Sequence, residues 1–139
     1  MIVVERIAPD GSAHRISIRG HELIADMTAP DGHDEGPDPH DLYDSALGAC
    51  KAMTILWYAQ RKSIPVEGIH VGVTRDASQE RDGIYKLTTR IALSGPLTDE
   101  QHDTLIGVAA RCPVHKLMSE VETRIETIAV PYVGEGERP

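Results

Sequence analysis

Two side chains in this sequence are nucleophiles strong enough to define a chemistry: Cys50 and Cys112, 62 residues apart. The attacking species is the thiolate, and a free cysteine ionises only near pH 8.5, so a reactive cysteine needs help from its surroundings. Cys112 stands in Arg-Cys-Pro-Val-His, where Pro113 suits the first turn of a short helix and Cys112 its N-cap. Free backbone N–H groups and the positive end of the helix dipole there favour thiolate over thiol. Cys50 stands in Ala-Leu-Gly-Ala-Cys-Lys-Ala-Met-Thr, about three turns inside a long helix, where no dipole reaches it. If Cys50 reacts, a cation must be brought to it. From the residues alone three readings stand side by side. The cysteines fill space, as free cysteines often do. They join His115 in a zinc site, although structural zinc wants four ligands and only one short pair is present. Or they are a redox couple.

The elements that position them follow from periodicity. Residues 2–7, 14–18 and 22–27 read as three strands of an antiparallel meander, with Asp10-Gly11 and Gly20 at its turns. Residues 29–39 read as loop, rich in Pro, Gly and acid. Asp38 then caps a helix that begins at Pro39 and runs to about Arg61, with Asp41 three residues on as in a capping box. Leu42, Ala46, Ala49, Met53 and Trp57 form one apolar stripe on it. Leu47, Ile55 and Tyr58 fall on other faces, and Lys51 is the single charge between Ser45 and Ala59. A helix apolar on several faces is covered on most sides, which points to a central helix and to a dimer. Residues 66–75 and 84–93 read as a hairpin, Thr98-Asp-Glu-Gln101 as a capping box opening a helix to about Ala110, and residues 121–130 as a closing strand. Strands in runs predict an α+β domain over residues 1–130, with a mobile tail over 131–139.

Composition excludes several classes of partner. The net charge of −8 opposes nonspecific binding to nucleic acid or anionic membrane. Phe is absent and Trp57 is the only tryptophan, which disfavours aromatic platforms for single strands. No apolar run approaches a membrane span, and no signal peptide is visible, so a cytoplasmic location is expected. His33, Asp34, Glu35, His40 and Asp41 gather in a polar loop without metal-ligand spacing, and no cofactor is expected.

Gly36-Pro37-Asp38-Pro39, Ala46-Leu47-Gly48-Ala49-Cys50, Met53-Thr54, Tyr58-Ala59, Arg61-Lys62, Ser94-Gly95-Pro96-Leu97, Glu100-Gln101 and Cys112-Pro113-Val114-His115-Lys116, with His21-Glu22-Leu23 upstream, together resemble the OsmC/Ohr superfamily over about residues 18–128. The resemblance implies an intertwined α+β homodimer, antiparallel sheets wrapped around central helices, with its sites at the subunit interface. It implies a hydroperoxide reductase in which Cys50 is the peroxidatic cysteine and Cys112 the resolving one, recycled by a dithiol, which in the Ohr branch is of the lipoyl type. It also implies an Arg that activates the first cysteine, for which Arg19 is the candidate, and an acid that orients that Arg. Where Ohr-like members carry Glu after Asn-Pro, this chain has Pro39-His40-Asp41, so Asp41 is the nearest carboxylate and Glu35 the second choice. That departure places the chain nearer the general OsmC branch than classical Ohr. The rival reading is a non-enzymatic dimer of the same fold that binds an apolar small molecule between its central helices.

Overall fold

The computed structural model describes residues 1–132 and residue 134. Its elements are β1 (Ile2–Arg6), β2 (His14–Ile18), β3 (His21–Ala25), α1 (Pro39–Lys62), β4 (Gly68–Asp76), β5 (Lys86–Ser94), α2 (Asp99–Ala109) and α3 (Pro113–Ser119). They form an α+β fold with antiparallel sheets. The chain divides into two compact units, Met1–Leu42 with Arg124–Pro139, and Tyr43–Thr123.

In the first unit β1, β2 and β3 form an antiparallel meander in that order. The register pairs Val4 with Ile16 and Ile16 with Leu23. Period 2 therefore sends Ile2, Val4, Ile16, Ile18 and Leu23 to one face, and Val3, Glu5, Arg15, Ser17 and Glu22 to the other. The apolar face is bare at its edge, with Ile2 62% and Val4 57% exposed. Arg19 and Gly20 link β2 to β3 with φ 49° and 87°. Left-handed backbone at both central residues is what a two-residue type I′ hairpin turn requires. After β3 the chain is tied down by one buried carboxylate. Asp26 accepts the Ser12 hydroxyl (2.6 Å) and the backbone N–H groups of Met27 (2.8 Å), His33 (3.0 Å) and Glu35 (3.1 Å). These donors, the Ser12 hydroxyl first, hold the Asp26 carboxyl well below the usual carboxylate range against the opposing pull of burial.

In the second unit β4 and β5 form a hairpin whose register joins Ile69 to Leu93 and Val71 to Ile91. Alternation turns Ile69, Val71 and Val73 and, opposite, Leu87, Ile91 and Leu93 inward. The buried core is Ile55 and Ala59 of α1 with Leu105 and Ala109 of α2, and Ile69, Ile91 and Leu93 pack against it. Ile55 and Leu105 are fully buried, each contributing about 1.5–3 kcal/mol. Gly48 lets α1 close on the hairpin, since a Cβ there would lie 3.0 Å from Val73 Cγ2. The Thr98 capping box that opens α2 is formed: Thr98 Oγ1 accepts from Gln101 N–H and Gln101 Oε1 from Thr98 N–H, both at 3.1 Å.

The strand expected over residues 121–130 is not formed. Its β-branched composition meets strand propensity, but a strand exists only where another supplies a ladder. The sheets in this structure have the orders β1-β2-β3 and β4-β5, and neither takes the segment up. Ile125 and Ile128 consequently stand 84% and 69% exposed. The tail expected to be mobile over 131–139 lies mostly outside the described residues. Among the described residues no helix is long and apolar enough to cross a membrane.

Candidate active site

The second unit brings the two cysteines together. Cys50, half-buried in the middle of α1, and Cys112, fully buried as the N-cap of α3, interact through their side chains. The Cys112 sulfur accepts the His115 backbone N–H at 3.4 Å. The N-cap position expected from sequence is therefore real. Its electrostatic consequence is not the expected one. Burial pushes the Cys112 thiol up, and the Cys50 side chain adds to that; the His115 N–H and the Lys51 charge pull the other way without prevailing. A thiol removed from water loses more ion solvation than one backbone N–H restores.

Beside the thiols lies the single charge of the stretch between Ser45 and Ala59. Lys51 is 3% exposed, and its ammonium donates to the Ala109 carbonyl at 2.9 Å and to His115 Nδ1 at 3.1 Å. An ammonium has no acceptor, so Nδ1 must be the accepting nitrogen and Nε2 carries the imidazole proton. With the Lys51 ammonium on its Nδ1, His115 is poorly placed as a zinc ligand there, and among the described residues no three His, Cys, Asp or Glu side chains gather to hold a metal. Thr54 sits one turn beyond Cys50, its Oγ1 4.0 Å from the Cys50 sulfur and donating to the Cys50 carbonyl at 2.7 Å.

A second polar group stands two turns earlier on α1. Asp44 is 7% exposed and accepts the Tyr85 hydroxyl at 2.8 Å; Arg75 Nη1 lies 3.3 Å from its other oxygen. Burial first, and then the Asp44 carboxylate, push the Tyr85 hydroxyl above its ordinary value. Tyr43, Leu47, Tyr85, Leu87, His115 and Met118 line a cavity of about 370 Å³ with Gly83 and Ser119. Its walls are chiefly apolar and aromatic, and His115 belongs both to it and to the Lys51 pair.

Asp44, Lys51, Arg75 and Tyr85 were missed as site residues. The signal was available: Asp44 and Lys51 lie on the helical row of Gly48, Ile55 and Ala59, and Arg75 and Tyr85 extend the inward rows of Val71-Val73 and Leu87-Ile91. A polar residue in phase with an apolar stripe is the mark of a buried polar group.

The other expected site residues belong to the first unit. Arg19 occupies the β2–β3 turn and borders a cavity of about 610 Å³ along the polar sheet face with Glu5, Arg15 and Glu22. Asp41 closes the start of α1 reciprocally with Asp38: Asp41 N–H donates to Asp38 Oδ1 at 2.8 Å and Asp38 N–H to Asp41 Oδ2 at 3.2 Å. Glu35 is exposed, and its backbone N–H serves Asp26.

A long helix laid on an antiparallel hairpin, with a thiol from its middle meeting a thiol at the head of a short helix, defines an α+β protein with a paired-cysteine site. A family model described as OsmC-like protein matches residues 32–127. An OsmC-like protein of Mycoplasma pneumoniae shares the fold with a TM-score of 0.70 at 21% identity, covering 87% of this chain and 87% of that one. The organic hydroperoxide resistance protein OhrB of Bacillus subtilis does so with a TM-score of 0.58 at 22% identity, over 86% of this chain and 91% of that one. For an organic hydroperoxide resistance protein, OsmC, of Legionella pneumophila the TM-score is 0.60 and the identity 19%, over 86% and 90%. No curated protein matches the chain. The chain belongs to the OsmC/Ohr superfamily.

Proposed function

We propose that this protein is a thiol-dependent peroxidase that reduces organic hydroperoxides through Cys50 and Cys112. The observation that carries the reading is the meeting of two free thiols from positions 62 residues apart. Family membership supports a redox role of this kind. The Cys50 thiolate attacks the peroxide O–O bond, becomes a sulfenic acid, and the alkoxide leaves as an alcohol on gaining a proton. Cys112 then condenses with the sulfenic acid, giving a disulfide and water. Two electrons from a dithiol, of the lipoyl type by family analogy, restore both thiols. The 370 Å³ cavity supplies apolar room for the organic half of the substrate. Arg19 is the proposed activating cation for Cys50, with Asp41 or Glu35 as its orienting acid.

The proposed assembly is a homodimer in the cytoplasm. Its support is apolar surface that one chain leaves bare: Met53 and Trp57 on α1 are 70% and 55% exposed, and residues 121–130 lack a ladder. Thiol titration before and after one equivalent of an alkyl hydroperoxide tests the function. A two-cysteine peroxidase loses both thiols together within seconds. A module that only binds an apolar molecule retains both.

A further inference from the structure

We propose that Lys51, held in place by His115 and the Ala109 carbonyl, is the cation that enables the buried Cys112 to resolve a Cys50 sulfenic acid. The inference rests on the peroxidase reading and gives its second step to Lys51, which lies outside the motifs that carry the family resemblance.

The resolving step is balanced within the protein. The Cys112 sulfur gives an electron pair to the Cys50 sulfur, the S–O bond of the sulfenic acid breaks, and the hydroxide leaves as water by taking the proton that Cys112 gave up. No outside oxidant or reductant enters. Its difficulty is electrostatic. Cys112 is fully buried, and the thiolate it must pass through has no water to stabilise it. His115 N–H is one donor to that sulfur. A fixed positive charge is the other requirement, and Lys51 is the buried ammonium of this unit whose charge acts on Cys112.

A buried lysine is costly unless its charge is used or compensated. Lys51 meets a carbonyl and an imidazole nitrogen, and among the described residues no carboxylate is paired with it. Its positive charge is therefore not cancelled by its own hydrogen bonds. Of its three N–H groups these partners take two, which leaves one for the sulfur or for the departing hydroxide. His115 acts as a positioning residue: its backbone N–H holds the Cys112 sulfur and its ring holds the Lys51 ammonium, so one residue of α3 sets both partners. The titratable groups that bear on Cys112 are Cys50 and Lys51 from α1 and His115 from its own helix.

The test is a rapid-quench single turnover with one equivalent of cumene hydroperoxide. Dimedone traps the Cys50 sulfenic acid, and mass spectrometry counts the disulfide. Lys51→Met keeps most of the length of the side chain and removes its charge. It is expected to slow disulfide formation at least tenfold more than it slows oxidation of Cys50, with trapped sulfenic acid accumulating. The pH profile of the disulfide step should move upward by about one unit, the equivalent of tenfold. Lys51→Arg should restore most of the rate. His115→Asn should slow the same step at least threefold, and it keeps the test open should Lys51→Met not fold. Disulfide formation at the wild-type rate in Lys51→Met, or equal losses in Lys51→Met and Lys51→Arg, would overturn the inference and leave the peroxidase reading standing. A wild-type protein whose Cys50 does not oxidise would remove both.

Discussion

The two faces of α1 are opposite in a way that hydrophobicity alone would not arrange. The face turned into its own unit carries Asp44 and Lys51 at 7% and 3% exposure, interleaved with Leu47, Gly48, Ile55 and Ala59. The face turned away carries Met53, Leu56 and Trp57, between 43% and 70% exposed. Burying a charge and exposing a large apolar side chain both cost free energy. On the function and assembly proposed above, each has a use: polar chemistry inside, and a second copy of the chain outside. Asp44 has its counter-charge, Arg75, whereas Lys51 has a carbonyl and an imidazole. One buried charge is thus locked in structure and the other is available to the thiols.

The largest effect is expected on the outer face. If a second copy covers it, the wild type sediments at twice the 15.2 kDa chain mass, and Met53→Arg shifts the protein to the monomer. A wild type that sediments as a monomer at micromolar concentration would break the comparison at that face. On the inner face, Asp44→Ala removes the acceptor of the Tyr85 hydroxyl and the counter-charge of Arg75 and should cost about 2 kcal/mol by denaturant unfolding. A loss below the error of that measurement would show that Asp44 is not a structural anchor.

Asp26, the buried carboxylate of the first unit, sharpens the contrast because four donors satisfy it completely. Its folded value is depressed, so its contribution is full above the unfolded value near 3.9 and fades as pH falls through the lower folded one. Acid unfolding of the wild type should steepen below about pH 4, and Asp26→Asn should remove that part of the slope. An unchanged slope would remove Asp26 from the account. The smallest effect is expected at Gly48→Ala. Alanine gains about 1 kcal/mol of helix propensity, but its methyl would meet Val73 Cγ2 at 3.0 Å, and overpacking costs about 1–3 kcal/mol. The net should be a loss of about 0–2 kcal/mol. A gain in stability would mean that α1 can lift from the hairpin.

What sequence could foresee follows from how local each signal is. Caps are local, and both the Thr98–Gln101 box and the Cys112 N-cap stand where expected. Helix α1 was legible from end to end, but its apolar stripe identified the outer face, because Asp44, Gly48 and Lys51 dilute the inner one. The strand at 121–130 could not be foreseen to fail, since its pairing depends on a partner strand and not on its own residues. The cysteines were legible as chemistry. That they meet, and that Lys51 meets His115 across 64 positions, is tertiary information that no spacing carries.

The central claim is that Cys50 and Cys112 form one redox unit with unequal members. Peptide mass spectrometry after one equivalent of cumene hydroperoxide tests it most directly. Wild type should yield a disulfide linking the Cys50 and Cys112 peptides. Cys112→Ser should yield a dimedone-trapped sulfenic acid on Cys50, and Cys50→Ser should leave Cys112 unoxidised. Absence of the linked peptides in wild type, together with identical behaviour of the two serine variants, would contradict the account.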